Sequence, residues 1–182
     1  MPDQPESLME KQGKENRDMF RTGSGRRIRF EDIPEKMNDF YNRTNIYDSD
    51  YDIIVGTDSQ NHSQTKIVNV ICITCKGHGG IFFYEVTNEP LIKDIRRKLQ
   101  VETNESLLTA TKLVTCLEDN QAYEEMYLNC PISIHVDAGN SPKGKTRELI
   151  PEIVGWVKAC GYDVKVKPES FCASTIADRI SK

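Results

Sequence analysis

Residues 51–87, YDIIVGTDSQNHSQTKIVNVICITCKGHGGIFFYEVT, decide the fold. Tyr51 to Asp58 is a run rich in β-branched residues that ends where Ser59-Gln-Asn-His-Ser63 offers turn chemistry, so it reads as a strand. Lys66 to Thr74 and Ile81 to Thr87 repeat the pattern, and Lys76-Gly-His-Gly-Gly80 between them reads as a hairpin turn. Three consecutive antiparallel strands are predicted.

Downstream, Asn88-Glu-Pro90 breaks the alternation and a long helical pattern runs from about Leu91 to about Leu117. Ile132-Ser-Ile-His-Val-Asp137 is a fourth strand, and Thr146 to about Ala159 a second helix closed by a left-handed cap at Gly161. Tyr162 to Lys167 makes a fifth strand stopped by Pro168, and Ala173 to Ile180 a final short helix. Upstream, the spacing of Ile33, Met37, Phe40 and Tyr41 predicts an amphipathic helix from Glu31 to about Arg43, with Asp32 as N-cap and Pro34 in its first turn. Residues 1–29 lack apolar periodicity and read as a flexible arm before a domain spanning 30–182. The arm's basic end, from Arg21 to Arg29, reads either as a phosphate contact or as a solvated linker. The order β-β-β-α-β-α-β-α predicts an α/β fold with a mixed five-stranded sheet, its later strands parallel and its faces covered by helices.

The 182 residues, 20.8 kDa and 29% charged content describe one ordinary globular domain. A formal charge of −4 and a pI near 5.5 exclude a generally polybasic binder, so any nucleic-acid contact must be local. No apolar run reaches the roughly 18 residues of a membrane span, and the N-terminus lacks the apolar middle of a secretory signal, which sets the expectation of a cytoplasmic protein. The six cysteines sit mostly within or beside apolar stretches and read as reduced core thiols. Cys72, Cys75 and His78 have a zinc-like spacing, but residues three apart on a strand point to opposite faces, which argues against a zinc site.

The acidic residues carry the chemistry. On a wheel of 100° per residue from Leu91, the stripe of Ile95, Leu99, Ala110, Leu113 and Leu117 spans about 40° to 100°; Glu102 falls at about 20°, beside it, and Glu105 at about 320°, outside it. A carboxylate on a buried face costs several kcal/mol unless something positive sits opposite. A basic partner from elsewhere, a functional cation, or an environment that keeps the group protonated satisfies that need. Asp58 and Asp137 each end a strand, where open α/β sheets place ligand-binding groups, and they converge if those strands are neighbours. Two such acids repel unless a divalent cation lies between them. An all-carboxylate set suits Mg²⁺ or Mn²⁺, and the chemistry it implies is metal-assisted phosphodiester hydrolysis. Asp178 is a further acid among small residues on the final helix, read either as a fourth ligand or as an exposed helix residue.

The segments Val55-Gly-Thr-Asp-Ser-Gln60, His135-Val-Asp-Ala-Gly139, Gly144-Lys-Thr-Arg-Glu-Leu-Ile150, Gly155-Trp-Val157, Gly161-Tyr162, Lys167-Pro168, Ala173-Ser174 and Ala177-Asp178, in that order, resemble the ribonuclease H-like superfamily and within it the YkuK-type group of predicted nucleases. The resemblance spans about Phe30 to Lys182. It implies a metal-dependent acidic site in which Asp58 matches the first-strand aspartate, Glu102 the acid of the first long helix, Asp137 the fourth-strand aspartate and Asp178 the C-terminal acid.

Around that site, Lys143, Lys145, Thr146 and Arg147 lead into a helix N-terminus that attracts anions and are candidate substrate-phosphate contacts. The segment lacks the full P-loop frame, so a nucleotide triphosphate is disfavoured. From Asn140 to Lys182 eight basic residues face five acidic ones, gathering positive charge near the proposed site. His135 shares a strand face with Asp137 and reads as an aid to proton transfer or to orienting a carboxylate or, more blandly, as a satisfied, half-buried histidine. His62 reads as a loop residue or a substrate contact, and Trp156 as core. Two functions remain: a nuclease acting on RNA or DNA through divalent metal, and a noncatalytic module that binds nucleic acid or protein on the same fold.

Overall fold

Strict alternation along three long strands produces a sheet with two distinct apolar faces. The computed structural model describes residues 19–44, 50–139, 146–170, 175–176 and 180. Strands β1 (Met19–Thr22), β2 (Arg27–Arg29), β3 (Tyr51–Asn61), β4 (Thr65–Cys75), β5 (Gly79–Glu89), β6 (Ile132–Gly139) and β7 (Asp163–Lys167) form one sheet in the order β2-β1-β5-β4-β3-β6-β7. β3 pairs in parallel with β6, and β6 with β7; the other pairings are antiparallel. Four α-helices lie among the described residues: α1 (Ile33–Thr44), α2 (Ile95–Glu118), α3 (Glu124–Asn129) and α4 (Ile150–Ala159).

The sheet has seven strands rather than the predicted five. The extra pair, β1 and β2, falls within the stretch read as a flexible arm; residues 1–18 lie outside the described ones. The hairpin holds because Phe20 and Ile28, paired across it, both turn toward the core, where the Phe20 ring meets Phe30 edge-on with centroids 5.5 Å apart. A single inward apolar residue per strand is too little for a periodicity argument to register. Other boundaries shift for local reasons. β3 runs on to Asn61 because Ser59 and Asn61 pair with Ile67 and Thr65, which leaves only a tight turn at His62–Gln64. α2 starts at Ile95 rather than Leu91 because the Asp94 side chain caps it, accepting from the Arg97 amide at 2.8 Å. Asp32 does not cap α1; its carboxylate takes both hydrogen bonds of the Arg29 guanidinium, and α1 follows a 3-10 turn over Phe30–Asp32. Gly161 has the expected left-handed conformation, φ 88°, after α4.

One face of the sheet carries Ile53, Val55, Ile71, Ile73 and Ile134, all fully buried against α2 through Leu99, Ala110, Leu113 and Leu117. Ile95, placed by the wheel on the same stripe, is instead exposed at the first turn. The opposite face carries a smaller cluster of Ile54, Val68, Val70 and Cys72, with Phe82, Tyr84, Ile176 and Ile180 packed on it. Cys72 thus belongs to this cluster and Cys75 to the main core, on opposite faces as their spacing requires. The final helix expected over Ala173–Ile180 lies mostly outside the described residues.

Candidate active site at the ends of β3 and β6

Parallel pairing of β3 with β6 sets the site. The last pair in register is Thr57 with Val136, so Asp58 and Asp137 follow at the same level on adjacent strands. Alternation turns both away from α2, onto the face of Ile54 and His135. Ser59, the next residue on β3, turns the other way and donates from Oγ to Oε1 of Glu102 at 2.6 Å. Glu102 is therefore held by β3 from the helix side, while the two aspartates stand on the far side of the same strands.

The wheel's choice between the two helix acids matches the structure: Glu102 is 6% exposed, whereas Glu105 is only half-buried. Burial pushes the Glu102 carboxyl up from 4.5 to about 7. The Ser59 hydroxyl and the Lys98 ammonium oppose that rise, and the charges of Asp58 and Asp137 add to it. The three acids are thus close enough to sense one another although they approach from two faces.

Two lysines supply the positive charge the sequence required. Lys98, one helical turn before Glu102, donates to the Ser59 carbonyl and lies 3.8 Å from Glu102 Oε1. Lys167, the last residue of β7, brings its Nζ to 2.6 Å from Oδ1 of Asp137, an ion pair without the alignment of a hydrogen bond. Asp58 accepts from the Ser59 amide at 2.8 Å. Behind Glu102 a buried polar chain continues: Ser106 Oγ lies 3.0 Å from the Glu102 carbonyl and 2.8 Å from Thr57 Oγ1, Thr57 bonds Asn69, and Asn69 donates to Thr109. The sequence reading missed Lys98, which the i, i+4 helical spacing to Glu102 could have found. Ser59, read as a turn residue, and Lys167 stood in the segments of the resemblance without a role, and Lys167 reaches Asp137 only through the β6–β7 pairing.

His135 is fully buried, and burial lowers its pKa to about 4, so it is neutral across the physiological range. It lies on the face of Asp137 with a strand on either side, more deeply buried than the half-buried position expected of it. Thr146 places its hydroxyl 3.4 Å from the Gly139 carbonyl, two residues beyond Asp137, and Arg147 is exposed in a 3-10 turn that precedes α4. Lys143, Lys145 and Asp178 lie outside the described residues. His62 sits exposed in the β3–β4 turn, and Trp156 packs partly buried against the core.

A hard divalent cation fits this donor set in kind: every candidate ligand is a carboxylate, and the buried one has its acidity suppressed partly by two like charges. In spacing, the described residues contain no group of three His, Cys, Asp or Glu side chains that could hold a metal ion. The alternation that separates Asp58 from Ser59 explains this, since it puts a strand's thickness between Glu102 and the aspartates.

Comparison with known proteins identifies a family. The family described as Ribonuclease H-like matches residues 32–182. "Uncharacterized protein YkuK" of Bacillus subtilis (strain 168) is 28% identical over 176 residues, covering 90% of this chain and 97% of that one. A solved structure titled "Structure of Mos1 transposase catalytic domain and Raltegravir with Mg" aligns over 74% of this chain and 57% of its own, with 9% identity and a TM-score of 0.27. No helix among the described residues is long and apolar enough to cross a membrane.

Proposed function

Because the chain belongs to the ribonuclease H-like family, we propose that it is a metal-dependent nuclease that hydrolyses phosphodiester bonds in RNA or DNA. The observation that carries this reading is Glu102, a buried carboxyl pushed up to about 7 beside Asp58 and Asp137 at the ends of two parallel strands. Asp58, Glu102, Asp137 and Asp178 would hold Mg²⁺ or Mn²⁺. When bound, such ions supply a polarised phosphoryl oxygen and an activated water.

The protein's own groups do the rest. Ser59 fixes the Glu102 carboxylate through its hydroxyl. Lys98 and Lys167 compensate charge at the two ends of the site, and Lys167, nearly half exposed, is placed to meet a phosphate once it leaves Asp137. Thr146 and Arg147, with Lys143 and Lys145, would receive flanking phosphates of the substrate. The neutral His135 fills the space behind Asp137 and brings no charge to it at neutral pH.

A second reading draws on the lysine pairs themselves. If Lys98 and Lys167 are permanent partners of the acids, the fold serves as a noncatalytic module for nucleic acid or protein. Nuclease assays of the parent, Asp58→Asn and Asp137→Asn proteins with Mn²⁺, paired with calorimetric titration of Mn²⁺, separate the two. The nuclease requires cleavage and metal binding that both collapse in Asp137→Asn. Cleavage equal to the parent in both variants rejects the assignment, and a parent protein with neither heat of binding nor cleavage leaves the module.

A further inference from the structure

The hairpin β1–β2 lies outside the residues matched by the family, yet it extends the sheet on the face that carries Asp58 and Asp137. Register pairs connect Arg27 to Arg21, Arg21 to Tyr84, Tyr84 to Val70 and Val70 to Gly56, two residues before Asp58. Partners in register share a face, so Arg27, Arg21 and Tyr84 form one transverse row on the aspartate side. Arg29 shares that face, but Asp32 neutralises it. Arg21 and Arg27 are exposed, and the Arg21 guanidinium is held by the Gly25 carbonyl at 3.2 Å. Tyr84 and Phe82 are partly exposed, with ring centroids 6.4 Å apart, and Val86 beside them is 39% exposed. A groove of about 470 Å³ runs between Arg21, Arg27, Tyr84 and Val86; two carboxylates on its border, Glu85 and Glu89, belong by alternation to the opposite face.

We infer that this surface is a docking path for single-stranded nucleic acid leading to the site at Asp58 and Asp137. In a chain of net charge −4, two exposed arginines aligned with two aromatic rings are a local match to a phosphate backbone carrying unstacked bases. A duplex keeps its bases stacked and has no use for the rings. Three strand spacings separate β3 from β1, about 14 Å, and because Val70 between them is fully buried in the cluster that Ile176 and Ile180 pack on, one short strand would reach from the arginines to the aspartates over those side chains rather than along the sheet itself. Ile176 and Ile180 pack on the same face, where Lys66 binds the Ile180 carbonyl at 2.9 Å, and cover the sheet between the arginines and the aspartates.

The proposal rests on the nucleic-acid reading of the site, but its test does not need cleavage. The full chain in EDTA is titrated into a fluorescent 12-nucleotide single strand, and into a blunt duplex of the same sequence, over a range of salt. The double variant Arg21→Gln/Arg27→Gln should lose roughly tenfold in affinity and about 1.4 from the log–log salt slope. Tyr84→Leu should lose about fivefold or more with the slope kept. Arg21→Lys/Arg27→Lys, which keeps both charges, should restore the slope. Parent-like affinity and slope in the glutamine variant overturn the path, as do equal binding of the duplex and absence of binding by the parent, which would leave the surface to a protein partner. Retained single-strand binding in a protein that never cleaves fails the hydrolase and leaves the path standing; cleavage with indifferent arginine variants fails the path alone.

Discussion

Replacing Glu102 by Gln keeps the shape of the buried side chain and removes its charge, which isolates the electrostatics of the site. In the folded protein burial, with Asp58 and Asp137 nearby, raises this carboxyl to about 7, against 4.5 for the free side chain. A tenfold change in proton affinity between the folded and unfolded states is worth about 1.4 kcal/mol, so ionisation of Glu102 costs the native state up to ~3 kcal/mol. The sign follows from proton counts. Between pH 4.5 and 7 the unfolded chain has released this proton and the native chain has not, so the group's contribution is fully present below about 4.5 and is lost as pH rises through about 7. Urea denaturation from about pH 4.5 to about pH 8.5 should show Glu102→Gln gaining on the parent by up to ~3 kcal/mol across that window, with no further change above it. Mn²⁺ should narrow the gap at about pH 8, since an ion at roughly one hundred times its dissociation constant stabilises the parent by about 2.7 kcal/mol. A gap that is flat with pH would show that Ser59 and Lys98 already satisfy an ionised Glu102. A gap of opposite sign would show that they over-satisfy it, and either result refutes the reasoning.

Two further substitutions probe the groups that hold the acids. Lys167→Met removes the ammonium 2.6 Å from Asp137 and should raise Mn²⁺ affinity several-fold by calorimetry, at a cost in thermal stability of the metal-free protein because Asp137, only 18% exposed, loses its cation; unchanged or weaker Mn²⁺ binding would make Lys167 an ally of the ion rather than its competitor. Ser59→Ala deletes the 2.6 Å hydrogen bond to a buried carboxyl and should cost roughly 1.5–3 kcal/mol above about pH 7 and less below it, measured by urea denaturation on both sides of that value.

The centre of the fold was legible because its strands are long and rich in β-branched and aromatic residues. β3 and β4 bury most of their eleven residues on both faces and β5 is half-buried along most of its length, so composition between turn signals located them. The hairpin β1–β2 escaped notice because each of its strands offers one inward residue, Phe20 and Ile28, among arginines that also suit a linker. Glu102 was legible because a helix wheel reports burial directly. The register between β3 and β6 was not, because parallel pairing is fixed by packing of the whole sheet and leaves no local mark. Placing Asp58 and Asp137 side by side therefore required the structure, as did seeing that Ser59, one residue on, reaches Glu102 from the other face.

That one-residue alternation governs what the site can become. Glu102 lies on the helix side with Ser59 and Lys98; Asp58 and Asp137 lie on the far side with Lys167. Each side has one ammonium group, so neither carries a fully uncompensated negative charge, yet Glu102 still feels the aspartates through the strand. A cation shared by all three would have to sit at the sheet's end, where the two faces meet, and Lys167 would have to release Asp137. The exposure of Lys167 makes that release inexpensive in desolvation, whereas Lys98, tied to the Ser59 carbonyl, stays with the buried acid. The two lysines thus differ in setting: Lys98 belongs to the architecture of α2 against β3, whereas under the proposed nuclease reading Lys167 would be the group that yields Asp137 to an ion and turns to a phosphate.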